Sequence, residues 1–197
     1  TTRREQVASV AVDWPAYMHS FALTASYAVL VEPPLVTHPA RFLLPGSGGF
    51  IDNYDWKPAR GTRFLVFRRD SGELLHESTV PAFFTFHTGN AFEVRDHGDA
   101  DELVVDLVAY DDASAVTDLS MGALRSGDGG FPSGELRRYR LPLDGRDPEY
   151  SHLADSVEMP RFSPAVHTRR YEHLYAQSTE MTDGNALVRV DVGSDEG

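Results

Sequence analysis

The sequence predicts an all-β fold, and three observations support this class. Short runs rich in aromatic and β-branched residues alternate with clusters of Gly, Pro, Asp and Asn along most of the chain, which is the pattern of strands separated by turns. Only residues 113–124 have helical character, and that segment is short. Two histidines and a glutamate recur at intervals of roughly 70 residues. Many hairpins without a helical layer indicate a sandwich, a barrel or a propeller.

The predicted strands follow one another with well-marked turns. Residues 70–73 read Asp-Ser-Gly-Glu, which predicts a tight hairpin. Glycine-rich loops are predicted at 46–49 and 127–132. The strands are expected at 18–24, 27–32, 63–69, 74–79, 83–87, 103–110, 136–141 and 186–192.

The spacing of the polar residues bears on which all-β architecture is present. An interval of roughly 70 residues is longer than the blades of common propeller families, which have about 40 to 50 residues. Long loops at one end of each blade would account for the excess. A complete propeller needs about four to eight blades, and a chain of 197 residues supplies about three at this interval. If the fold is a propeller, this chain cannot close it.

Composition excludes several classes of site. The chain has no cysteine, which rules out disulfides, iron–sulfur clusters and thiol catalysis and leaves histidine and carboxylate as metal ligands. It has no apolar run of about eighteen residues, so no membrane-spanning helix is expected. It also has no Gly-x-Ser-x-Gly motif, phosphate loop or dinucleotide fingerprint, which leaves hydrolase and nucleotide-binding functions without support.

The charge balance is strongly acidic. Thirty acidic residues against eighteen basic ones give a net charge of −12, which disfavours nucleic acid as a partner because its backbone requires a basic face. Lys57 is the single lysine. A halophilic source with a salty cytoplasm would favour this composition, and a genome rich in guanine and cytosine would also replace lysine by arginine; both explanations stay open.

The chain starts at Thr1 without an initiator methionine or targeting segment, which predicts a cytoplasmic piece of a longer protein.

Three short blocks carry the candidate site. His19 lies in residues 17–24, which read Tyr-Met-His-Ser-Phe-Ala-Leu-Thr. His87 lies in 86–93, which read Phe-His-Thr-Gly-Asn-Ala-Phe-Glu, and Glu158 opens the sequence Glu-Met-Pro-Arg. Imidazoles on a rigid sheet are good ligands for zinc, copper, iron or nickel, and a carboxylate commonly accepts the hydrogen bond of a ligating imidazole. The blocks predict a mononuclear metal site, only part of which lies in this chain.

Structural interpretations compete with this one. A histidine in an apolar strand is often a packed core residue, and Glu158 could instead pair with Arg161 or another arginine as a buried brace. Asn90 and Glu93 are expected to have structural roles, in a turn after the strand and as an acceptor of backbone or arginine hydrogen bonds. The remaining histidines have no motif and are expected at the surface or in structural positions: His38, His76, His97, His152, His167 and His173.

Taken together, the three blocks resemble the carotenoid cleavage oxygenase family, which includes carotene- and apocarotenoid-cleaving enzymes and the retinal isomerase of vision. The stretch from 50 to 67 and the late residues 169–171 and 175–176 are also similar to the family. The resemblance implies a seven-bladed β-propeller whose axis holds Fe(2+) bound by four histidines. It therefore implies that residues 1–197 form a single partial carotenoid oxygenase domain of about three blades, lacking the N-terminal and C-terminal blades.

The resemblance also implies roles for individual residues. His19 matches the second iron ligand of the family and His87 the third. Many relatives have a second histidine beside that third ligand, whereas this chain has Thr88. Glu158 matches a glutamate that accepts a hydrogen bond from a ligand imidazole and fixes its orientation. No catalytic residue beyond the metal site is expected.

The implied reaction is oxidative cleavage of a conjugated C=C bond of a carotenoid or apocarotenoid by O2, giving two carbonyl products. Phe83, Phe84 and Phe131 are candidate linings of an apolar substrate tunnel, and substrate uptake could involve peripheral membrane contact. The alternative is a non-catalytic β-propeller fragment that acts as a binding or interaction module. Two further strand-borne histidines in the flanking sequence would distinguish the enzyme from the module.

Overall fold

The computed structural model of the chain describes residues 3–44, 46, 48–95, 98, 100–127, 132–180 and 186–193. Its strands are β1 (Phe21–Leu23), β2 (Tyr27–Glu32), β3 (Leu35–Thr37), β4 (Tyr54–Trp56), β5 (Thr62–Arg68), β6 (Leu74–Val80), β7 (Thr88–Val94), β8 (Glu102–Ala109), β9 (Glu135–Pro142), β10 (Glu149–Ala154), β11 (Val157–Arg161), β12 (His173–Ser178) and β13 (Ala186–Asp191). The helices are α1 (Ser114–Asp118), α2 (Met121–Ser126) and 3-10 turns at Pro39–Leu43, Ile51–Asn53, Pro58–Arg60 and Pro164–Val166.

The first sheet is antiparallel, with the strand order β1-β2-β5-β6. The hairpin of β3 and β4 is inserted between its second and third strands. β2 alternates as expected for a strand: Tyr27, Val29 and Val31 are buried in one hydrophobic cluster, while Ala28 and Leu30 between them are half-buried. This alternation sets the face of the sheet that packs against its neighbour.

The second sheet is an antiparallel meander of β7, β8, β9 and β10. Its strand β8 is buried on both faces, because Leu103, Val105 and Leu107 enter the cluster shared with the first sheet while Val104 and Val108 enter a second cluster. A strand between two packed sheets is expected to be apolar throughout. The second sheet therefore lies between two hydrophobic layers.

The third sheet consists of β11, β12 and β13, again antiparallel. Leu174 and Ala176 on β12 are buried in the second cluster, against the second sheet. Tyr175 and Leu187 are 50% and 89% exposed, so the other face of this sheet is open.

The three sheets meet at their first strands. β1 packs against β7, and β7 packs against β11. The Thr88 hydroxyl donates to the Phe21 carbonyl, 3.1 Å away, which joins the first two of these strands. Sheets that diverge from a common centre with their first strands innermost are the blades of a β-propeller. Within the described part of the chain, no helix is both long enough and apolar enough to cross a membrane.

The expected strand at 83–87 is wrong. Here the Thr62 hydroxyl donates to the Phe83 carbonyl and accepts its amide proton, at 2.7 and 2.9 Å. Phe84 makes only an isolated bridge, to Tyr110. A side chain thus takes the place of a neighbouring strand, and β7 begins at Thr88.

Other boundaries also differ from the sequence prediction. The expected helical segment 113–124 is two short helices, the second capped by the Ser120 hydroxyl. β11 was not predicted because it contains Pro160 and a register shift between Glu158 and Arg161. β10 was not predicted because it is an outer strand with no buried residue and therefore has a weak apolar pattern.

Candidate functional site

Two of the predicted site residues lie just before the inner strands, and the third lies within one. His19 lies two residues before β1, His87 directly precedes β7, and Glu158 is the second residue of β11. The rings of His19 and His87 approach edge to face, with centroids 4.8 Å apart and planes at 83°. The fold thus brings together three residues that are widely separated in the sequence.

His19 lies at the exposed end of this group. Its Nδ1 is 3.2 Å from the Phe86 carbonyl oxygen. A carbonyl can only accept a hydrogen bond, so the neutral ring carries its proton on Nδ1 when this bond forms. The lone pair is then on Nε2, the form in which imidazole binds a metal.

His87 is held by its side chain and by the backbone on either side of it. Its Nδ1 is 2.7 Å from Oε2 of Glu158, and its side chain is 18% exposed. The Ser20 hydroxyl donates to the Phe86 carbonyl at 2.8 Å and accepts the Thr88 amide proton at 2.9 Å. Because a carboxylate accepts hydrogen bonds, the neutral form of the His87 ring donates from Nδ1 to Glu158 and keeps its lone pair on Nε2.

Glu158 is only 4% exposed, and three donors surround its carboxylate. Besides His87, these are the Tyr110 hydroxyl, 2.5 Å from Oε1, and the Met159 amide, which donates to Oε2. Met159 lies at the irregular part of β11 and has φ of 54°. The backbone conformation of this short segment therefore completes the polar shell of the carboxylate.

The electrostatics of this cluster favour an ionised glutamate. Burial acts to raise the pKa of Glu158, but the hydrogen bonds from His87, Tyr110 and the Met159 amide outweigh it and leave this pKa below its ordinary value. Burial, followed by the neighbouring Glu158 charge, raises the pKa of Tyr110. The tyrosine therefore remains a neutral donor to a charged acceptor.

Sequence reasoning missed Tyr110 and Ser20. Tyr110 ends an apolar run and belongs to no metal-ligand motif, while Ser20 is distinguished only by its position next to His19. The alternative in which Glu158 pairs with Arg161 is wrong for the side chains described here, since Arg161 donates to the Pro160 carbonyl instead.

Two polar residues of the second block, Asn90 and Glu93, are structural, as predicted, although Asn90 acts differently from expectation. Glu93 accepts hydrogen bonds from the Thr24 hydroxyl, the Ser26 amide and Arg95. Asn90 lies within β7 rather than in a turn, and its amide group binds the backbone of residues 166–169. Both residues join neighbouring sheets.

The other described histidines lie away from the centre. His38 accepts the Ala40 amide proton, His152 pairs with Asp155 at 3.0 Å, and His173 pairs with Asp191 at 3.0 Å. His76 lies in β6 and His167 packs against Phe162; His97 lies outside the described residues.

The proposed tunnel linings are not supported by the packing. Phe83 is 1% exposed and stacks on Tyr139, and Phe84 is 0% exposed in the second hydrophobic cluster. Both are core residues because each lies between two packed sheets. Phe131 lies outside the described residues.

The described residues contain no group of three or more His, Cys, Asp or Glu that could hold a metal ion. His19 and His87 can supply two neutral nitrogen donors, and the carboxylate of Glu158 is already engaged by His87, Tyr110 and Met159. Such a pair fits a metal that imidazoles bind, with further ligands required to complete its coordination.

Comparison with known sequences identifies similar proteins along the whole chain. The profile of the family described as RPE65, retinal pigment epithelial membrane protein, matches residues 1–197. The chain is 30% identical over 194 residues to carotenoid cleavage dioxygenase 8, chloroplastic, of Arabidopsis thaliana, covering 90% of this chain and 34% of that protein. It is 28% identical to apocarotenoid-15,15'-oxygenase of Synechocystis, covering 91% and 36%.

Solved structures show the same fold. An ACO/RPE65 chimera superposes with a TM-score of 0.69 at 24% identity, covering 91% of this chain and 37% of that one. Cobalt-substituted Synechocystis ACO superposes with a TM-score of 0.68 at 23% identity, covering 89% and 36%. The prediction of an all-β chain that forms part of a seven-bladed propeller is confirmed. The chain spans about a third of the length of the relatives it matches.

Proposed function

Because this chain belongs to the RPE65, or retinal pigment epithelial membrane protein, family, we propose that it forms the middle blades of an Fe(2+)-dependent dioxygenase. The complete protein would cleave a conjugated C=C bond of a carotenoid or apocarotenoid with O2. Residues 1–197 would be a single partial oxygenase domain, completed by blades on either side. The names of the relatives, which include carotenoid-cleaving and apocarotenoid oxygenases, support this substrate class.

One observation carries the proposal: an imidazole and a buried carboxylate from adjacent blades are hydrogen-bonded at the centre, with a second imidazole beside them. His87 would be one iron ligand and His19 another, each through Nε2, with the remaining ligands from outside this chain. The 2.7 Å contact between His87 and Glu158 is the carboxylate–histidine pairing that commonly accompanies a bound metal. The structural neighbour solved in cobalt-substituted form supports a metal cofactor for this fold.

The side chains of this chain would hold and orient rather than react. Glu158 would keep the proton of His87 on Nδ1 and fix the ring plane, and the Phe86 carbonyl would do the same for His19. When bound, ferrous iron would supply the oxygen chemistry that these side chains lack. In the net reaction the C=C bond breaks and each oxygen atom of O2 becomes the oxygen of one carbonyl product, so no other reductant is needed.

An exposed apolar surface supports a peripheral membrane contact for substrate uptake. In the insertion between β2 and β5, Leu43, Leu44 and Phe50 are 84%, 62% and 62% exposed, and Phe42 stacks on Phe50 with centroids 5.4 Å apart. Exposed apolar patches of this kind are typical of protein or membrane contacts. Flotation of the full-length protein with phosphatidylcholine vesicles should fall on the double substitution Leu43→Asp and Leu44→Asp; unchanged flotation would contradict this contact.

The central test compares the full-length protein with its His87→Ala variant. Bound iron is measured by elemental analysis, and cleavage is followed as loss of the polyene absorption of β-carotene and of an apocarotenal under oxygen. We expect the wild-type protein to hold about one iron per chain, as a mononuclear site requires, and to bleach at least one substrate. His87→Ala should lose most of both properties because a nitrogen ligand is removed.

His152→Ala is the matched control, since His152 also bonds a carboxylate but lies at the surface, 48% exposed. It should retain iron and bleaching. A wild-type protein that folds and binds no iron would overturn the oxygenase proposal and favour the non-catalytic binding module.

A further inference from the structure

Tyr110 follows the last residue of β8 and directs its hydroxyl at the carboxylate of Glu158. The O···Oε1 distance is 2.5 Å, and the tyrosine is 5% exposed. Its backbone is fixed independently of this bond, because its N–H and its carbonyl both pair with Phe84 at 2.8 Å. The hydroxyl is therefore presented from a rigid position.

The two oxygens of Glu158 have different partners. Oε1 accepts from Tyr110, whereas Oε2 accepts from His87 and from the Met159 amide. The terminal torsion of a glutamate is broad and roughly two-fold, so contacts to both oxygens are needed to fix the carboxylate plane. Without the tyrosine hydroxyl, Oε1 would be a buried acceptor without this donor, and the group would gain freedom to rotate.

The arrangement also crosses a blade boundary. Tyr110 and His87 both belong to the second blade, where the Val108 amide donates to the His87 carbonyl at 3.0 Å, while Glu158 comes from the third blade. The carboxylate is thus held between two side chains of the neighbouring blade.

We infer that Tyr110 is a positioning residue of the metal site: by holding Oε1 of Glu158 it presents Oε2 to His87 and so sets the orientation and ligand strength of the His87 ring. This inference rests on the proposed function. Residues outside the ligand set that orient a metal-binding side chain through hydrogen bonds typically lower metal affinity by about 10- to 100-fold when they are removed.

The test uses Tyr110→Phe in the full-length protein, which removes the hydroxyl and keeps the ring. Cobalt(II) is titrated into metal-free protein and followed by its visible absorption, so the readout does not depend on catalysis. We expect cobalt affinity to fall by about 10- to 100-fold and the cobalt spectrum to change, because the geometry of one imidazole ligand is relaxed.

Tyr171→Phe is the matched control. Tyr171 is another buried tyrosine that donates to a buried carboxylate, Asp106, at 2.6 Å, and it is 4% exposed. Its variant should lose stability to a similar degree and retain wild-type cobalt affinity. A purely structural role for Tyr110 predicts instead that the two variants behave alike.

A double-mutant cycle provides a second measurement. If Tyr110 acts through Glu158, then Tyr110→Phe should have little further effect on cobalt affinity in a Glu158→Gln background. Additive effects, or an unchanged affinity for Tyr110→Phe alone, would overturn the inference and leave the proposed function standing. Failure of the wild-type protein to bind cobalt or iron would overturn the proposed function as well.

Replacement of Tyr110 by 3-fluorotyrosine, which keeps the hydroxyl, should retain cobalt affinity. Loss of cobalt affinity in this variant would also contradict the inference.

Discussion

Asp106 and Glu158 are both buried between the second and third blades, and each accepts a hydrogen bond from a buried tyrosine, at 2.6 and 2.5 Å. The nitrogen-bearing side chain that pairs with each carboxylate differs. Asp106 receives a two-pronged hydrogen bond from Arg138, at 2.8 and 2.9 Å, and is fully buried. Glu158 accepts a hydrogen bond from His87 at the centre of the propeller, and the His87 side chain is 18% exposed.

The difference between these partners separates a brace from a candidate metal site. Arginine is always charged and has no lone pair available to a metal, and Arg138 engages both carboxylate oxygens of Asp106, so this pair offers no nitrogen ligand. Arg138 also donates to the Val192 carbonyl at 2.5 Å and thereby ties the end of the third sheet to the second. An imidazole bound to a carboxylate through Nδ1 still has Nε2 for a ligand. Both carboxylates are buried, and the free second nitrogen of the imidazole distinguishes the position that is available for metal binding.

The largest expected effect on stability is at the buried pair of Asp106 and Arg138. Arg138→Met should leave the buried Asp106 without its cation and lower the free energy of unfolding by about 3 to 5 kcal/mol, measured by urea denaturation of the full-length protein. The double variant Arg138→Met, Asp106→Leu should recover much of this loss, because the uncompensated charge is gone. Equal stability of the single variant and the wild type would contradict the structural role.

The next effect concerns the site carboxylate. Glu158→Gln should cost about 1.5 to 3 kcal/mol in unfolding free energy at pH 7, because hydrogen bonds to a charged group are lost. The lowered pKa of Glu158 means that its contribution is present above the unfolded value of about 4.3 and is lost as the pH falls through the folded value. Urea denaturation at pH 7, 5 and 3 should therefore show a shallower acid loss in the variant; identical pH profiles would contradict it.

A smaller effect is expected at Ser20, which supports His87 from the first blade. Ser20→Ala removes two hydrogen bonds to the backbone around His87 and should cost about 1 to 2 kcal/mol of stability, with weaker cobalt binding. Ser133→Ala is the control, because its hydroxyl makes an exposed 3.2 Å contact with Ser156. Unaltered cobalt affinity in Ser20→Ala would show that the bridge does not act on the ligand.

The smallest effect tests whether a histidine–carboxylate pair alone defines the site. His152 and Asp155 form such a pair at 3.0 Å, but their side chains are 48% and 79% exposed. Asp155→Asn should change the unfolding free energy by less than about 1 kcal/mol and leave cobalt affinity unchanged. A large effect on either would mean that burial does not distinguish the two pairs.

The candidate ligands could be found from the sequence, whereas their supports could not. His19, His87 and Glu158 lie in local blocks that recur at similar spacing. Tyr110 meets Glu158 across 48 positions and Ser20 meets Phe86 across 66, and neither contact has a local pattern. Such contacts depend on how the blades pack, which periodicity does not specify.

The same limit applies to the fold. The strand at 27–32 was predicted with its observed bounds because it is a short run rich in aromatic and β-branched residues that ends before Pro33. Residues 83–87 looked like a strand because they are apolar, yet the backbone of Phe83 is hydrogen-bonded by the Thr62 hydroxyl and Phe84 makes only an isolated bridge to Tyr110. The buried charges of Asp106 and Arg138 lay within runs expected to be ordinary strands. The high-salt origin suggested by the net charge stays a prediction.

The Ser20 bridge has a mechanical consequence. The Ser20 hydroxyl is hydrogen-bonded to the backbone immediately before and immediately after His87. The orientation of the imidazole in one blade therefore depends on the position of the neighbouring blade. Any sliding between these blades would tilt the imidazole while both sheets kept their own hydrogen bonds. On heating, we therefore expect the proposed metal to leave the full-length protein before the sheets melt, since local opening precedes global unfolding.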